Sequence, residues 1–315
     1  MTRFRHLTFA LGMATALSAG SAFAADPESC KTVRFSDVGW TDITATTATA
    51  SVVLEAMGYE PEVQVLSVPV TYASLKNNDI DVFLGNWMPT MEADIAPYRE
   101  DGSVETLVTN LEGAKYTLAV PKYTYDAGLK SFQDIASFAD KLDGKIYGIE
   151  PGNDGNRLIL DMIEADTFGL KDFELVESSE AGMLSQVTRA AGSKEDVVFL
   201  GWEPHPMNAN IEMAYLEGGD DIFGPNYGGA TVHTNVRAGY ATECPNLGKL
   251  FTNMVFSLKM ENEIMGAILN DGAEANDAAT AWLKANPDAI EPWLEGVTTF
   301  DGGDAVAAVK AKLGM

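Results

Sequence analysis

Two copies of one short pattern, each ending in a tryptophan and a proline, carry the residues best suited to chemistry with a ligand. Residues 81–89 read DVFLGNWMP and residues 196–204 read DVVFLGWEP. Each copy begins with an apolar run long enough for one buried parallel strand, and proline favours an extended backbone just before it. Trp87 and Trp202 are therefore predicted at the carboxyl ends of strands, where open α/β sheets bind ligands. Two indole faces directed at one small molecule favour a cation.

Two further aromatic residues fit the same kind of position. Trp40 lies just after the first predicted strand, and Tyr116 opens the second series of predicted strands and helices. A single tryptophan beside a strand is more often a core residue, but three at strand ends, two of them in a shared motif, favour a ligand-binding role. By contrast, Trp282 and Trp293 lie in helical contexts and are predicted to be packing residues.

Two polar residues accompany these aromatic positions. Asp42 lies at the start of a predicted helix, so it is either an N-cap for the helix from Thr44, worth about 1 kcal/mol, or a carboxylate that faces the pocket. Asn153 lies in a Gly- and Pro-containing turn between a strand and a helix. Turn chemistry and a hydrogen bond to a ligand are both open for Asn153, and Glu150 and Asp154 are rivals for the second role.

The chain offers little for catalysis or for a metal. Its three histidines are His6, His205 and His233. The sequence contains no nucleophile elbow, zinc-protease helix, phosphate-binding loop or dinucleotide-binding glycine triplet. His205 stands between two prolines and is predicted to be a turn residue. We therefore expect no enzymatic activity, no cofactor and no metal site.

Strand and helix patterns alternate twice around these residues, which is the order of two doubly wound α/β sheets. Strands are predicted over 33–38, 62–68, 80–84, 116–120, 146–149, 173–176 and 232–240, in addition to the second tryptophan motif. Helices are predicted over 44–57, 72–77, 131–141, 157–168, 183–191, 247–260, 263–269 and 276–283.

The first 24 residues are predicted to be a cleaved signal peptide. Arg3 and Arg5 precede an apolar run, and the Ala-Phe-Ala sequence at 22–24 has the spacing of a cleavage site. No later segment approaches the roughly 18 consecutive apolar residues that a membrane span needs. We therefore expect an exported protein, located in a bacterial periplasm.

Composition narrows the class of partner. The chain has 46 acidic and 21 basic residues and a formal net charge of −25 at pH 7. This charge disfavours nucleic acids and anionic lipid surfaces as partners. A hydrophobic content of 46% excludes wholesale disorder, and the length of 315 residues suits two domains.

The two cysteines constrain the domain organisation. Cys30 and Cys244 favour a disulfide in an oxidising compartment, with two free thiols as the alternative. Such a bond requires one lobe to contain both the start of the mature chain and a segment more than 200 positions later. We therefore predict a discontinuous lobe I over 25–112 and 232–315, and lobe II over 113–231.

With these residues in view, the chain resembles the substrate-binding proteins of glycine betaine/choline ABC transporters, and among them the choline-binding branch. The resemblance is carried by GWTDI at 39–43, LEAMGY at 54–59, DIDV at 79–82, WMP at 87–89 and GWEP at 201–204. The family implies a periplasmic-binding-protein fold of the type II kind, with two lobes joined by a two-segment hinge around a quaternary ammonium ligand. It also implies an inner-membrane ABC permease as partner, and we expect a monomer.

The resemblance further implies which residues contact the ligand. The aromatic box carried over onto this chain consists of Trp40, Trp87, Tyr116 and Trp202. In the choline-binding branch, the ligand hydroxyl is held by the positions of Asp42 and Asn153.

Capture of choline for an ABC importer is therefore the expected function. A betaine carboxylate needs N–H donors or a basic residue, and the box motifs contain only Lys115, beside Tyr116. The alternatives are a glycine betaine or proline betaine transport protein of the same fold, a choline sensor for a chemoreceptor, and an exported enzyme acting on a choline ester.

Overall fold

The computed structural model describes residues 26–315, and the predicted signal peptide lies outside these residues. In this part of the chain nine strands form one sheet. The strands are β1 (Thr32–Asp37), β2 (Glu60–Val65), β3 (Val82–Met88), β4 (Val104–Pro121), β5 (Lys145–Tyr147), β6 (Glu174–Val176), β7 (Phe199–Glu203), β8 (Met213–Tyr215) and β9 (Gly229–Arg237).

The described residues also form fifteen α-helices. They are α1 (Thr41–Ala56), α2 (Val68–Lys76), α3 (Glu92–Glu100), α4 (Lys122–Asp126), α5 (Asp154–Glu164), α6 (Glu180–Ser193), α7 (Met207–Asn210), α8 (Asp220–Phe223), α9 (Pro225–Gly228), α10 (Tyr240–Glu243), α11 (Pro245–Asn253), α12 (Leu258–Leu269), α13 (Ala275–Ala285), α14 (Ile290–Trp293) and α15 (Ala305–Leu313). Short 3-10 segments lie at Glu28–Cys30, Phe132–Phe138, Thr167–Gly169 and Pro287–Ala289.

The sheet consists of two halves with the same order of strands. Its full order is β2-β1-β3-β9-β4-β7-β5-β6, and β8 pairs with β4. In one half β1 pairs in parallel with β2 and β3, and in the other β5 pairs in parallel with β6 and β7. These pairs confirm the predicted α/β class. We call β1–β3 and α1–α3, with the turns at their ends, lobe I, and β5–β7, α5 and α6, with the turns at their ends, lobe II.

Two antiparallel strands, β4 and β9, connect the halves and make the sheet mixed. β9 pairs with β3 of lobe I, and β4 pairs with β9 up to Lys115 and with β7 of lobe II from Lys115 to Ala119. Register shifts in the β4–β9 pair fall between Thr109, Leu111 and Ala114. The sequence predicted only 116–120 as a strand, because the polar first part of β4 has no continuous apolar run. The domain boundaries stay a prediction.

Helix α1 is buried along nearly its whole length. It begins at Thr41, three residues before the predicted start, and packs against the sheet, α12 and α13. Its composition is rich in alanine and threonine, and two of its buried hydroxyls are satisfied within the helix: Thr49 and Ser51 donate to the carbonyls of Ala45 and Thr47, each at 2.8 Å. Because α1 is buried, its first turn has a fixed position beside the ends of β1 and β3.

The predicted disulfide between Cys30 and Cys244 is present, with a Cα–Cα distance of 5.8 Å. It joins the segment before β1 to the segment before α11. Three predicted elements are corrected. The helix over 131–141 is the 3-10 segment Phe132–Phe138, the strand over 232–240 is displaced to Gly229–Arg237, and the helix over 247–260 is divided between α11 and α12.

Candidate ligand-binding site

The carboxyl ends of β1, β3, β5 and β7 meet at a pocket between the two lobes. The six residues predicted from the sequence all line it: Trp40, Asp42, Trp87, Tyr116, Asn153 and Trp202. Ile149 and Asp154 complete the lining. Sequence reasoning named Asp154 only as a rival of Asn153 and did not name Ile149, whose apolar side chain is indistinguishable from a core residue in the pattern.

The aromatic rings stand at steep angles to one another. The ring centroids of Trp87 and Tyr116 lie 6.0 Å apart with an interplanar angle of 61°, and those of Tyr116 and Trp202 lie 6.2 Å apart at 82°. All four rings of the predicted box are buried. Because the rings meet edge to face, ring faces border the pocket from several directions, which is the geometry that surrounds a compact cation.

Carboxylates hold two of the indole rings. The Trp87 Nε1–H donates to Asp42 Oδ2 at 3.1 Å, within lobe I. The Trp40 Nε1–H donates to Glu150 Oε1 at 2.8 Å, from lobe I to lobe II. These bonds set the orientation of the rings and place two carboxyl groups next to the box.

The start of α1 presents Asp42 to the pocket. The N-cap residue of α1 is Trp40, with φ −93° and ψ 136°, so the interpretation of Asp42 as an N-cap is wrong. Asp42 lies in the first turn, with its side chain on the side of Trp87. Its Oδ1 atom is buried and has no hydrogen-bond partner within residues 26–315.

Asn153 combines the two roles that the sequence left open, since it caps α5 and also lines the pocket. Its Oδ1 accepts from the Asn156 backbone N–H at 3.1 Å and from the Tyr116 hydroxyl at 2.9 Å. Its Nδ2 donates to Asp154 Oδ1 at 3.0 Å, and Asp154 Oδ2 is buried without a partner in the described chain. A Cβ at Gly155 would lie 2.1 Å from the Tyr116 hydroxyl oxygen, so glycine is required for this approach.

The electrostatics of the pocket favour a positive ligand. Burial raises the pKa of Asp42 to about 8, of Glu150 to about 7 and of Asp154 to about 6. Among residues 26–315, no lysine or arginine lines the pocket, and Lys115 lies outside the lining. A cation that enters would relieve the cost of charging these buried carboxylates.

His205 is a buried turn residue behind the pocket. Its ring meets the Trp202 ring edge-on, with centroids 4.9 Å apart. Nδ1 accepts from the Met207 backbone N–H at 2.9 Å, so Nε2 carries the proton and donates to Glu180 Oε1 at 3.2 Å. The described residues hold no group of three or more His, Cys, Asp or Glu side chains arranged for a metal ion.

Comparison with known proteins gives concordant results. Residues 31–285 match the OpuAC model, described as the substrate-binding domain of an ABC-type glycine betaine transport system. A solved structure of an ABC-transporter choline-binding protein in complex with choline is 73% identical, with a TM-score of 0.91, and the match covers 91% of this chain and 100% of that chain. An uncharacterized protein, ORF1, of Chromohalobacter salexigens is 61% identical over 144 residues, which are 46% of this chain and 91% of that protein.

A second solved structure bears on the arrangement of the lobes. It is an ABC-transporter choline-binding protein in an unliganded semi-closed conformation, with the same 73% identity and the same coverage but a TM-score of 0.84. The present structure therefore resembles the choline complex more than the semi-closed form. The two-lobed fold is confirmed by these matches. In a further structural finding, no helix within residues 26–315 has the length and apolarity to cross a membrane.

Proposed function

The chain belongs to the family of substrate-binding domains of ABC-type glycine betaine transport systems, and from this premise we propose that it captures choline between its lobes and delivers it to an ABC importer. The observation that carries the choice of ligand is the pocket itself. It combines four aromatic rings with buried carboxylates, and in the described chain its lining has no basic residue. The 73% identity to an ABC-transporter choline-binding protein solved in complex with choline supports the same ligand.

The aromatic box suits the trimethylammonium group. This group has no N–H to donate, so carboxylates and carbonyls cannot form conventional hydrogen bonds with it. Ring faces supply dispersion and cation–π attraction instead, up to about 2 kcal/mol for each desolvated contact. Micromolar affinity requires about 8 kcal/mol, which four such walls can provide.

The polar side of the pocket suits a hydroxyl better than a carboxylate. Asp42 Oδ1 and Asp154 Oδ2 are buried oxygens without partners in residues 26–315, and either can accept a hydrogen bond from a hydroxyl group. The Asn153 side chain lies next to Asp154, with its oxygen already bonded to Tyr116. A betaine carboxylate would meet these acidic oxygens without a basic residue to balance it, which disfavours it.

We further propose that the mature protein works in the periplasm after removal of residues 1–24, and that it releases its ligand unchanged to a membrane permease. The transport role of the family supports both features, and the sequence pattern of residues 1–24 supports removal of the signal peptide. The family description makes glycine betaine the second candidate ligand. Recovery of a chemically altered product after incubation with choline would contradict a pure binding function.

Titration calorimetry of the mature protein with choline, acetylcholine, glycine betaine and proline betaine tests the ligand. Choline should bind at micromolar concentration or tighter, and glycine betaine more weakly. Tighter binding of glycine betaine than of choline would overturn the choice of ligand.

Small-angle scattering and thermal unfolding test closure with the same samples. Saturating choline should compact the protein and raise its melting temperature, because the ligand binds the closed state preferentially. Identical dimensions with and without choline would contradict closure around the ligand.

A further inference from the structure

We propose that Glu180 is a positioning residue that holds the lobes closed, because it caps helix α1 of lobe I from its place in lobe II. Glu180 is the first residue of α6 and does not line the pocket. The inference rests on the proposed function, since its consequence is the lifetime of the choline complex. It assigns a role in ligand retention to a residue that contacts no ligand.

The Glu180 carboxylate is a buried acceptor for three donors. Its side chain is 5% exposed. Oε2 accepts from the Thr41 backbone N–H at 2.9 Å, and Oε1 accepts from the Thr41 hydroxyl at 2.5 Å and from His205 Nε2 at 3.2 Å. Two of these three bonds join the lobes and one lies within lobe II. Bonds from a buried carboxylate to three donors are among the stronger hydrogen bonds in proteins.

Helix α1 depends on this contact because its own N-cap residue provides no side-chain acceptor. The N-cap is Trp40, whose side chain makes no cap hydrogen bond. The first N–H groups of a helix have no partner within the helix, and the helix dipole favours negative charge at this end. Glu180 supplies both the acceptor and the charge. In an open cleft, the Thr41 N–H and hydroxyl would form hydrogen bonds with water, and Glu180 would keep only its bond with His205.

The contact links two sides of the aromatic box. Thr41 lies between Trp40 and Asp42, which both line the pocket. On the other side, His205 packs edge-on against Trp202. Closure therefore aligns walls from both lobes through one buried carboxylate.

Other bonds between the lobes are more exposed. Arg157 of lobe II donates to Asp94 of lobe I at 2.8 Å, but the Arg157 side chain is 33% exposed. Water and salt screen such a pair, whereas the Thr41–Glu180 bonds are buried. We therefore expect Glu180 to contribute more than Arg157 to the lifetime of the closed state.

Stopped-flow tryptophan fluorescence with choline tests the role of Glu180, with wild type, Glu180→Ala, Thr41→Val and Thr41→Ser compared. Ligand enters the open form, in which the Thr41–Glu180 bonds are absent, and leaves after they break. Glu180→Ala should raise the dissociation rate by about tenfold or more and change the association rate by less than about threefold. Thr41→Val should raise the dissociation rate by a smaller factor than Glu180→Ala. Thr41→Ser keeps the hydroxyl and should show the wild-type dissociation rate.

Asp304→Ala is the matched control. Asp304 is the N-cap of α15, and its Oδ1 accepts from the Ala307 N–H of the same helix at 3.0 Å. This variant should lower the melting temperature and leave both choline rates unchanged, since its cap joins no two lobes. Wild-type dissociation rates in both Glu180→Ala and Thr41→Val would overturn the role of Glu180. The role would also be overturned if the association and dissociation rates changed by equal factors and Thr41→Ser did not show the wild-type rates. Failure of the wild type to bind choline would instead overturn the proposed function.

Discussion

The helices that follow β1 and β5 occupy equivalent places in the two halves of the sheet, but their first turns are completed differently. Helix α5 is capped by its own Asn153, which accepts from the Asn156 N–H. Helix α1 begins after Trp40, which makes no side-chain cap, and its first N–H is bound by Glu180 of the other lobe. The pocket-facing end of lobe II is therefore complete within its own lobe, whereas that of lobe I is completed by contact between the lobes.

The two tryptophan motifs show the same kind of difference. Trp87 and Trp202 end equivalent strands, each between a parallel and an antiparallel neighbour. The Trp87 indole N–H is bonded to Asp42, while Trp202 is supported by the edge of His205. Equivalent positions thus supply similar ring faces, and the residues behind them differ because lobe I also supplies the carboxylate that faces the ligand.

The strongest test of the equivalence is to remove each motif tryptophan in turn. Trp87→Ala and Trp202→Ala should each weaken choline binding by at least about 2 kcal/mol, or roughly 30-fold, because a wall and its desolvation are both lost. Calorimetry measures the loss. Trp282→Ala is the control, since Trp282 lies on α13 with its N–H bound to Glu263 and should leave choline affinity unchanged. Unchanged affinity in both motif variants would remove the aromatic box from consideration.

Asp42→Asn separates the carboxylate of lobe I from the ring that it holds. Asparagine Oδ1 can still accept from the Trp87 N–H, but the negative charge is lost. Choline should bind about tenfold more weakly, while glycine betaine should lose less affinity or gain some, because repulsion of its carboxylate is removed. The measurement is the ratio of the two affinities. Asp277→Asn, at an exposed first-turn carboxylate of α13, should not change the ratio.

If a folded Asp42→Asn variant keeps the wild-type ratio of choline to glycine betaine affinity, Asp42 does not discriminate between the two ligands. Asn153 would then be the next position to test. A loss of general packing would lower both affinities together and leave the ratio at its wild-type value.

Choline affinity should rise with pH between about pH 6 and pH 8. Burial raises the pKa of Asp42 to about 8, of Glu150 to about 7 and of Asp154 to about 6. A bound cation favours the ionised forms, so binding releases protons in this window and strengthens as pH rises, by at most about tenfold per pH unit for each proton released. Calorimetry in two buffers with different ionisation enthalpies counts the protons. Asp42→Asn should flatten the upper part of the profile.

The ligand-free protein should show the opposite trend in stability. A carboxyl whose pKa is higher in the folded state binds more protons there than in the unfolded chain. Its contribution therefore falls as pH rises from about 4, the unfolded value, to the folded pKa. Affinity that stays constant from pH 6 to pH 8 would show that the buried carboxyls are not coupled to the ligand.

Variants of Asn153 should have the smallest effects, because α5 is capped within its own lobe. Asn153→Ser keeps an N-cap oxygen and should leave the free energy of unfolding within a few tenths of a kcal/mol, whereas Asn153→Ala should lower it by about 1 kcal/mol. Both should weaken choline binding a few-fold, since both lose the bond from the Tyr116 hydroxyl. Chemical denaturation and calorimetry measure the two quantities. Equal choline affinity in Asn153→Ser and wild type would limit Asn153 to helix capping.

Much of the site could be predicted from short segments of sequence. Trp40, Trp87 and Trp202 follow strands whose apolar runs are visible in the pattern, and parallel strands bring their carboxyl ends together. The pairing of Cys30 with Cys244 follows from there being only two cysteines. Local periodicity and composition contain this information because neighbouring residues decide strand ends and helix starts.

The tertiary structure decided what those residues contact. The bonds from Thr41 to Glu180 and from Trp40 to Glu150 join positions 139 and 110 residues apart, and no local pattern predicts either bond. The antiparallel course of β4 and β9 likewise depends on how the halves meet. Sequence patterns thus determined which tryptophan side chains reach the pocket, whereas folding decided the hydrogen bonds, burial and charge state of the lining residues, because these depend on groups brought close only by the packing of two lobes.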